Sequence, residues 1–193
     1  SIGIWLLDLE RGTRSRLTFG GNDIIPIWTP DGKRIAFGST RGDSRVCNVY
    51  WKAADGSGDA ERLAVSEGHQ DVGSWSPDGE ILAFSEAHPE TDWDIWLLHI
   101  KDDRRVEPFL QTEFAEEHPM ISPDGQWIAY SAEYSGSRQV YVIPAVGGEP
   151  SRDLHDGKRW FLQLRTVTGD PYPNGVARRE LFAVSDSGKV CKY

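Results

Sequence analysis

Only two cysteines and one methionine occur in these 193 residues. Cys47 and Cys191 can form one bridge at most, which leaves their pairing open, and neither sits in a metal-spaced pair, so a disulfide framework and a structural zinc site are both excluded. Long apolar runs are missing too. Stretches such as Ile95–Leu98 are far too short to span a bilayer, and no charged-then-apolar leader opens the chain, so a soluble protein is expected. Positive charge is scarce: 21 Lys and Arg against 30 Asp and Glu give a net charge of -9 and a pI near 5.0. That balance argues against nucleic acid, which demands clustered Lys and Arg, and favours cationic protein or peptide partners. Catalytic signatures are absent: there is no Gly-x-Ser-x-Gly elbow, His-Glu-x-x-His, phosphate-cradling loop or kinase set. No catalytic residue, cofactor or metal is therefore expected. The first residue is Ser, which suggests a start within a longer parent or after processing.

What the chain does have is aromatic mass and turn chemistry: eight Trp, six Tyr, seven Phe, 20 Gly and 11 Pro, an all-β profile of many short strands. One turn returns on a beat: Thr29-Pro30-Asp31-Gly32, Ser76-Pro77-Asp78-Gly79 and Ser122-Pro123-Asp124-Gly125, with the Asp residues 47 and 46 apart. Pro fixes φ before the corner, Asp accepts bonds from downstream amides, and Gly takes the left-handed conformation. The repeat extends past the turn, through Ala36, Ala83, Ala129 and then Phe37, Phe84, Tyr130. A third strand centres on Trp5, Tyr50, Trp96 and Tyr141, and a fourth is marked by Leu17, Leu63, Phe109 and Leu154. A period in the forties with four strands per unit is the mark of a β-propeller, whose blades cannot bury their faces alone.

The expected fold is thus an all-β propeller of four-stranded antiparallel blades in one domain, residues 1–193. Three complete repeats cover about 22–155, and a partial blade comes from 1–20 plus 156–193. Phe161–Val167 and Leu181–Val184 read as first and second strands of a degenerate unit whose turn is replaced by Thr168–Arg178. About four blade equivalents result, with the N-terminal strands completing the last one, although Lys189–Tyr193 competes for that slot. The alternatives are part of a larger ring, or a half-ring completed by a second copy.

The unit (Ser/Thr)-Pro-Asp-Gly, two residues, then Ile/Leu-Ala-Phe, a polar loop and an aromatic-centred strand resembles the TolB-type propeller repeat over residues 1 to about 155. The resemblance implies a protein-docking or sensor module in a periplasmic or other extracytoplasmic setting. The alternatives are a propeller that gates substrate entry to a peptidase-like hydrolase, as the resemblance implies, or a fragment of a larger propeller without its own ligand.

Candidate site residues lie in the loops that lead into each first strand: Asp23, Asp71 and Glu117, eight, seven and seven residues before their turn Asp. Together with His69 and His118 beside them, they would ring one mouth of the central channel and attract a cationic group. The ordinary role of such residues is to cap turn amides or to hydrogen-bond at the surface. Trp5, Trp28, Trp75 and Trp96 occupy repeat-equivalent positions and are expected in the seams between blades. Trp51, Trp93, Trp127 and Trp160 are off that pattern and are the first places to look for exposed aromatics. Arg41-Gly42-Asp43 is adequate turn chemistry, and a tripeptide match alone carries no recognition role.

Overall fold

A computed structural model describes residues 1–42, 46–134, 136, 138–145 and the backbones of the strands within 160–167, 178–185 and 190–192. The described residues form no helix. They form sixteen strands in five successive antiparallel sheets. The first holds β1 (Trp5–Leu7) and β2 (Arg14–Arg16). The second holds β3 (Asp23–Trp28), β4 (Arg34–Ser39), β5 (Asn48–Ala53) and β6 (Glu61–Arg62), and the third holds β7 (Gln70–Trp75), β8 (Ile81–His88), β9 (Asp92–His99) and β10 (Arg105–Leu110). The fourth has β11 (Glu116–Ile121), β12 (Trp127–Ala132) and β13 (Gln139–Pro144), and the fifth has β14 (Trp160–Val167), β15 (Arg178–Ser185) and β16 (Val190–Lys192). Leu154, expected to mark the fourth strand of the fourth sheet, lies outside the described residues.

The three turns are built alike. In the second repeat Ser76 Oγ donates to Asp78 Oδ1 at 2.5 Å and accepts from Ile81 N at 2.9 Å, Glu80 N reaches the same Asp oxygen at 3.0 Å, and Gly79 adopts φ 72°. Thr29–Asp31 and Ser122–Asp124 repeat this network, with Gly32 and Gly125 at φ 68° and 71°. The turns also touch one another: a Cβ on Gly79 would meet Pro30 Cδ at 3.5 Å, and one on Gly125 would meet Pro77 Cδ at 3.5 Å. Each Pro-Asp-Gly corner thus helps to seat the next blade as well as closing its own hairpin.

The seams follow a size rule legible in the second strands. Ile35 and Phe37 face back onto the first sheet with Ile4, Leu17 and Tyr50, while Ala36 faces forward. Leu82 and Phe84 of the third sheet fill the space over Ala36, and Ile128 and Tyr130 of the fourth do the same beside Ala83. A bulky side chain facing a small one lets the sheets interdigitate at the density of a packed interior. The first strands β3, β7 and β11 each carry a register shift, at 24–27, 72–74 and 117–120. There the sheets draw closest: a Cβ on Gly73 would sit 2.5 Å from the Pro119 carbonyl oxygen, and Ile121 N donates to Ser74 Oγ at 2.6 Å.

The N-terminal strands do not complete the last blade. The position beside β15 is taken by β16, in register Phe182↔Lys192, Ala183↔Cys191 and Val184↔Val190, whereas β1 and β2 pair only with each other. A strand four residues downstream closes a far shorter loop than one at the opposite end of the chain, so it reaches that edge at lower entropic cost. The sheets are consequently not closed into a ring, and the leading face of the first sheet is open. Trp5 and Leu7 are 58% and 54% exposed, although their repeat equivalents Trp96 and Leu98 lie in the seam with the second sheet. Trp28 is exposed as well. The expectation that all four repeat-equivalent tryptophans sit in seams therefore holds for Trp75 and Trp96 and fails for Trp5 and Trp28, which no neighbouring sheet among the described residues covers.

Candidate functional site

The start of each first strand brings charged residues to one end of the sheets. Asp23, the first residue of β3, is buried: Ser39 Oγ donates to its Oδ1 at 2.6 Å and Arg41 Nη2 meets the same oxygen at 2.8 Å. The Arg41 guanidinium also covers the Phe37 and Tyr50 rings at 5.1 and 5.3 Å. Arg41 is thus occupied within the fold, which accounts for one residue of the Arg-Gly-Asp sequence; Asp43 lies outside the described residues.

Asp71 is half-buried and pairs with His69 Nε2 at 3.2 Å, and the His69 ring meets the edge of Trp93 at 5.8 Å. Glu117 pairs with Arg138 Nη2 at 2.5 Å, and Arg138 also reaches Glu133 at 3.4 Å. His118 stands at φ 57° within the bulge of β11; its backbone N donates to Ser85 Oγ at 3.1 Å across the seam, and its Nδ1 lies 3.2 Å from Ser131 Oγ. The five candidates thus split in two. Asp23 is a structural ion pair inside its own blade. His69, Asp71, Glu117 and His118 are partly exposed and able to meet a ligand.

Strand register adds what the spacing obscured. Asp23 pairs with Ser39, Gln70 with Glu86 and Glu116 with Ala132, so the structural equivalents of Asp23 are Gln70 and Glu116, each eight residues before its turn Asp. Asp71 and Glu117 occupy the next position, where the side chain points to the other side of the strand. Gln70, Glu116 and also Asp94 are buried polar residues of this region that the sequence reading passed over. Counting back from the turn with one fixed offset would have found the first two.

Cys47 lies beside the same end, a free and fully buried thiol. Burial, together with the nearby Asp71 and Asp23 charges, pushes its pKa up to about 11, so it stays protonated and unreactive. The side chain of Cys191 lies outside the described residues. Among the described residues no group of three or more His, Cys, Asp and Glu could hold a metal ion, and no helix is long and apolar enough to cross a membrane.

Successive antiparallel sheets of up to four strands, packed against one another through their first strands, define a β-propeller type of fold, and the recurrent hydroxyl-Pro-Asp-Gly corner narrows the type. The chain belongs to the family of the TolB beta propeller domain, which matches residues 1–159. It is 33% identical over 109 residues to the tricorn protease homolog 1 of Streptomyces coelicolor, a match covering 53% of this chain and 10% of that protein. It is 29% identical over 133 residues to an uncharacterized protein of Agrobacterium fabrum, covering 67% of this chain and 44% of that one. The crystal structure of TolB from Acinetobacter baumannii superposes with a TM-score of 0.68 at 22% identity, over 97% of this chain and 47% of that chain. This chain therefore spans less than half the length of each of these three proteins.

Proposed function

We propose that this chain is a non-catalytic binding module that reads a protein or peptide partner at the mouth lined by His69, Asp71, Glu117 and His118. The observation that carries the reading is the state of the acids. Asp71 and Glu117 keep 27% and 15% of their side chains in solvent, and the partners they meet, His69 at 40% and Arg138 at 48%, are more exposed than they are. The exposed side of each pair is the base, so a Lys or Arg of a partner can approach the acid from solvent by displacing His69 or Arg138. The overall charge of -9 favours a cationic partner over an anionic one.

The test is the variant Asp71→Asn/Glu117→Gln, which leaves the buried Asp23 pair intact, measured by fluorescence anisotropy against a labelled heptalysine peptide at low salt. Weaker binding by about tenfold with unchanged thermal stability is the expected result. Binding equal to wild type would end the proposal.

Two further readings have their own support. Likeness to a tricorn protease homolog favours a propeller that gates a hydrolase carried elsewhere in a longer protein, and the flanking open reading frame decides that. The open row Trp5, Leu7 and Leu9 favours a second copy of this chain as partner, since the equivalent row Trp96, Leu98 and Ile100 is what binds one sheet to the next. Extracytoplasmic placement follows from the TolB-type reading, and cell fractionation tests it.

A further inference from the structure

The seam between the third and fourth sheets contains two buried acids where the preceding seam has two amides. Asp94 of β9 and Glu116 of β11 are both fully buried, and β9 and β11 are packed together. Asp94 Oδ2 accepts from Thr91 Oγ1 at 2.8 Å and Gln111 Nε2 at 3.0 Å, but its Oδ1 has no hydrogen-bond partner. Glu116 Oε1 accepts from Thr112 Oγ1 and from the Tyr134 hydroxyl at 2.8 Å, but its Oε2 has none.

Forty-six residues earlier the same two positions hold Asn48 and Gln70. There Asn48 Oδ1 accepts from Arg62 Nη2 at 2.6 Å, Gln70 Oε1 accepts from Val49 N at 3.1 Å, and Gln70 Nε2 donates to Glu86 at 2.7 Å. In that seam both positions are thus filled by neutral amides, each bonded to a charged partner, Arg62 or Glu86. Changing both amides to acids removes two donors and leaves two buried oxygens without a proton to accept, in a place where each lone charge is costly and each repels the other.

We propose that Glu116, buried beside Asp94, is a proton-binding joint: while Glu116 holds a proton the third and fourth sheets are locked together, and when it is ionised the seam loosens. A proton on Glu116 turns an orphan acceptor into a donor and cancels the repulsion between the two acids. No Lys or Arg among the described residues pairs with either acid. Arg138 is held by the neighbouring Glu117; Tyr130, Tyr134 and Tyr141 ring Glu116, and the strands packed against β11 also carry Asp71, Glu86, His88, Asp92 and His99, with Glu117 and His118 on β11 itself. Burial pushes Tyr130 up to about 12 and Tyr134 higher still, so both are neutral throughout the range in which carboxyls titrate. Burial raises Glu116 above the ordinary carboxyl range despite the opposing bonds from Thr112 and Tyr134, and the Asp94 charge adds a smaller push in the same direction. The sign follows: a pKa raised on folding gives stability that is full below the unfolded value and is lost as pH rises through the folded value. Because Glu116 adjoins Glu117 and His118, the joint also governs the spacing of the proposed mouth, but the proposal stands without any ligand there.

The experiment is thermal unfolding of the wild type, Glu116→Gln and Asp94→Asn between about pH 4.5 and 7.5, followed by tyrosine near-ultraviolet circular dichroism. The expected result is that Glu116→Gln melts about 3 °C or more above wild type at the alkaline end, with the gap closing toward the acid end, and that Asp94→Asn shrinks the pH dependence in the same sense. Parallel pH profiles for the three proteins would overturn the proposal. So would recovery of wild-type stability at the alkaline end by millimolar Ca²⁺ or Mg²⁺ that neither variant shows, because the joint would then bind a metal cation rather than a proton.

Discussion

Gly38 and Cys47 share one small volume, and the sharing can be measured. Gly38 lies in β4 opposite Val49, and a Cβ there would fall 2.6 Å from Cys47 Sγ, with Ile24 Cγ1 at 3.4 Å and the Gln70 carbonyl oxygen at 3.6 Å. Only the sulfur is in the way. In Gly38→Ala the methyl must push that sulfur into a fully buried seam, an overpacking cost of about 1–3 kcal/mol, offset by about 0.5–1 kcal/mol from the reduced freedom of the unfolded chain. Cys47→Ala alone empties a volume near that of a methyl group, for about 1 kcal/mol. Additive effects would place the double variant roughly 1–3.5 kcal/mol below wild type. The shared volume predicts instead that Gly38→Ala/Cys47→Ala is nearly as stable as wild type, because the new methyl occupies the space that Sγ leaves. The coupling energy is then about 2 kcal/mol, and each single variant melts roughly 2–8 °C low for a chain of this size. Urea denaturation of the four proteins, with m-values compared to confirm a common unfolded state, provides the measurement. A double variant that shows the full additive loss would refute this account of the seam between the second and third sheets.

Hydrogen bonds from the Thr29, Ser76 and Ser122 hydroxyls and from downstream amides hold Asp31, Asp78 and Asp124 below the usual carboxylate range, so their contribution is present above about pH 4 and is lost as pH falls through the lowered values. Acid unfolding of the wild type is therefore expected to steepen below about pH 3.5, and the triple Asp→Asn variant should show a flatter limb by far-ultraviolet circular dichroism; equal limbs would remove the turns from the account. For the open leading face, Trp5→Ser/Leu7→Ser should convert a wild-type dimer to a monomer of 21.6 kDa in light scattering, and a wild type that is already monomeric would dismiss the second copy as its cover.

How much of this was legible in the sequence differs from feature to feature for physical reasons. The corner was legible because its chemistry is local: a hydroxyl, Pro, Asp and Gly within four residues specify the same hydrogen bonds three times over. The second strands were legible because Ile-Ala-Phe and Leu-Ala-Phe are buried on both faces and tolerate little else. The last blade was harder, since Val190–Lys192 and Trp5–Leu7 are equally good strands by composition, and only loop length separates them. The acids were read as one ring because spacing counted in sequence treats neighbours as equivalent, whereas a strand assigns adjacent residues to opposite sides. That single-residue offset places Asp71 and Glu117 in partial contact with solvent beside His69 and Arg138, and it encloses Asp23, Gln70 and Glu116. At the enclosed position the protein meets the same geometric demand three ways: Asp23 and Glu116 each leave one carboxylate oxygen without a partner, but only Asp23 has an arginine, and Gln70 brings its own donor. A backbone repeated this faithfully leaves side-chain charge as the variable that distinguishes one seam from the next, so differences in behaviour between blades are to be sought at Glu116 before they are sought in the turns.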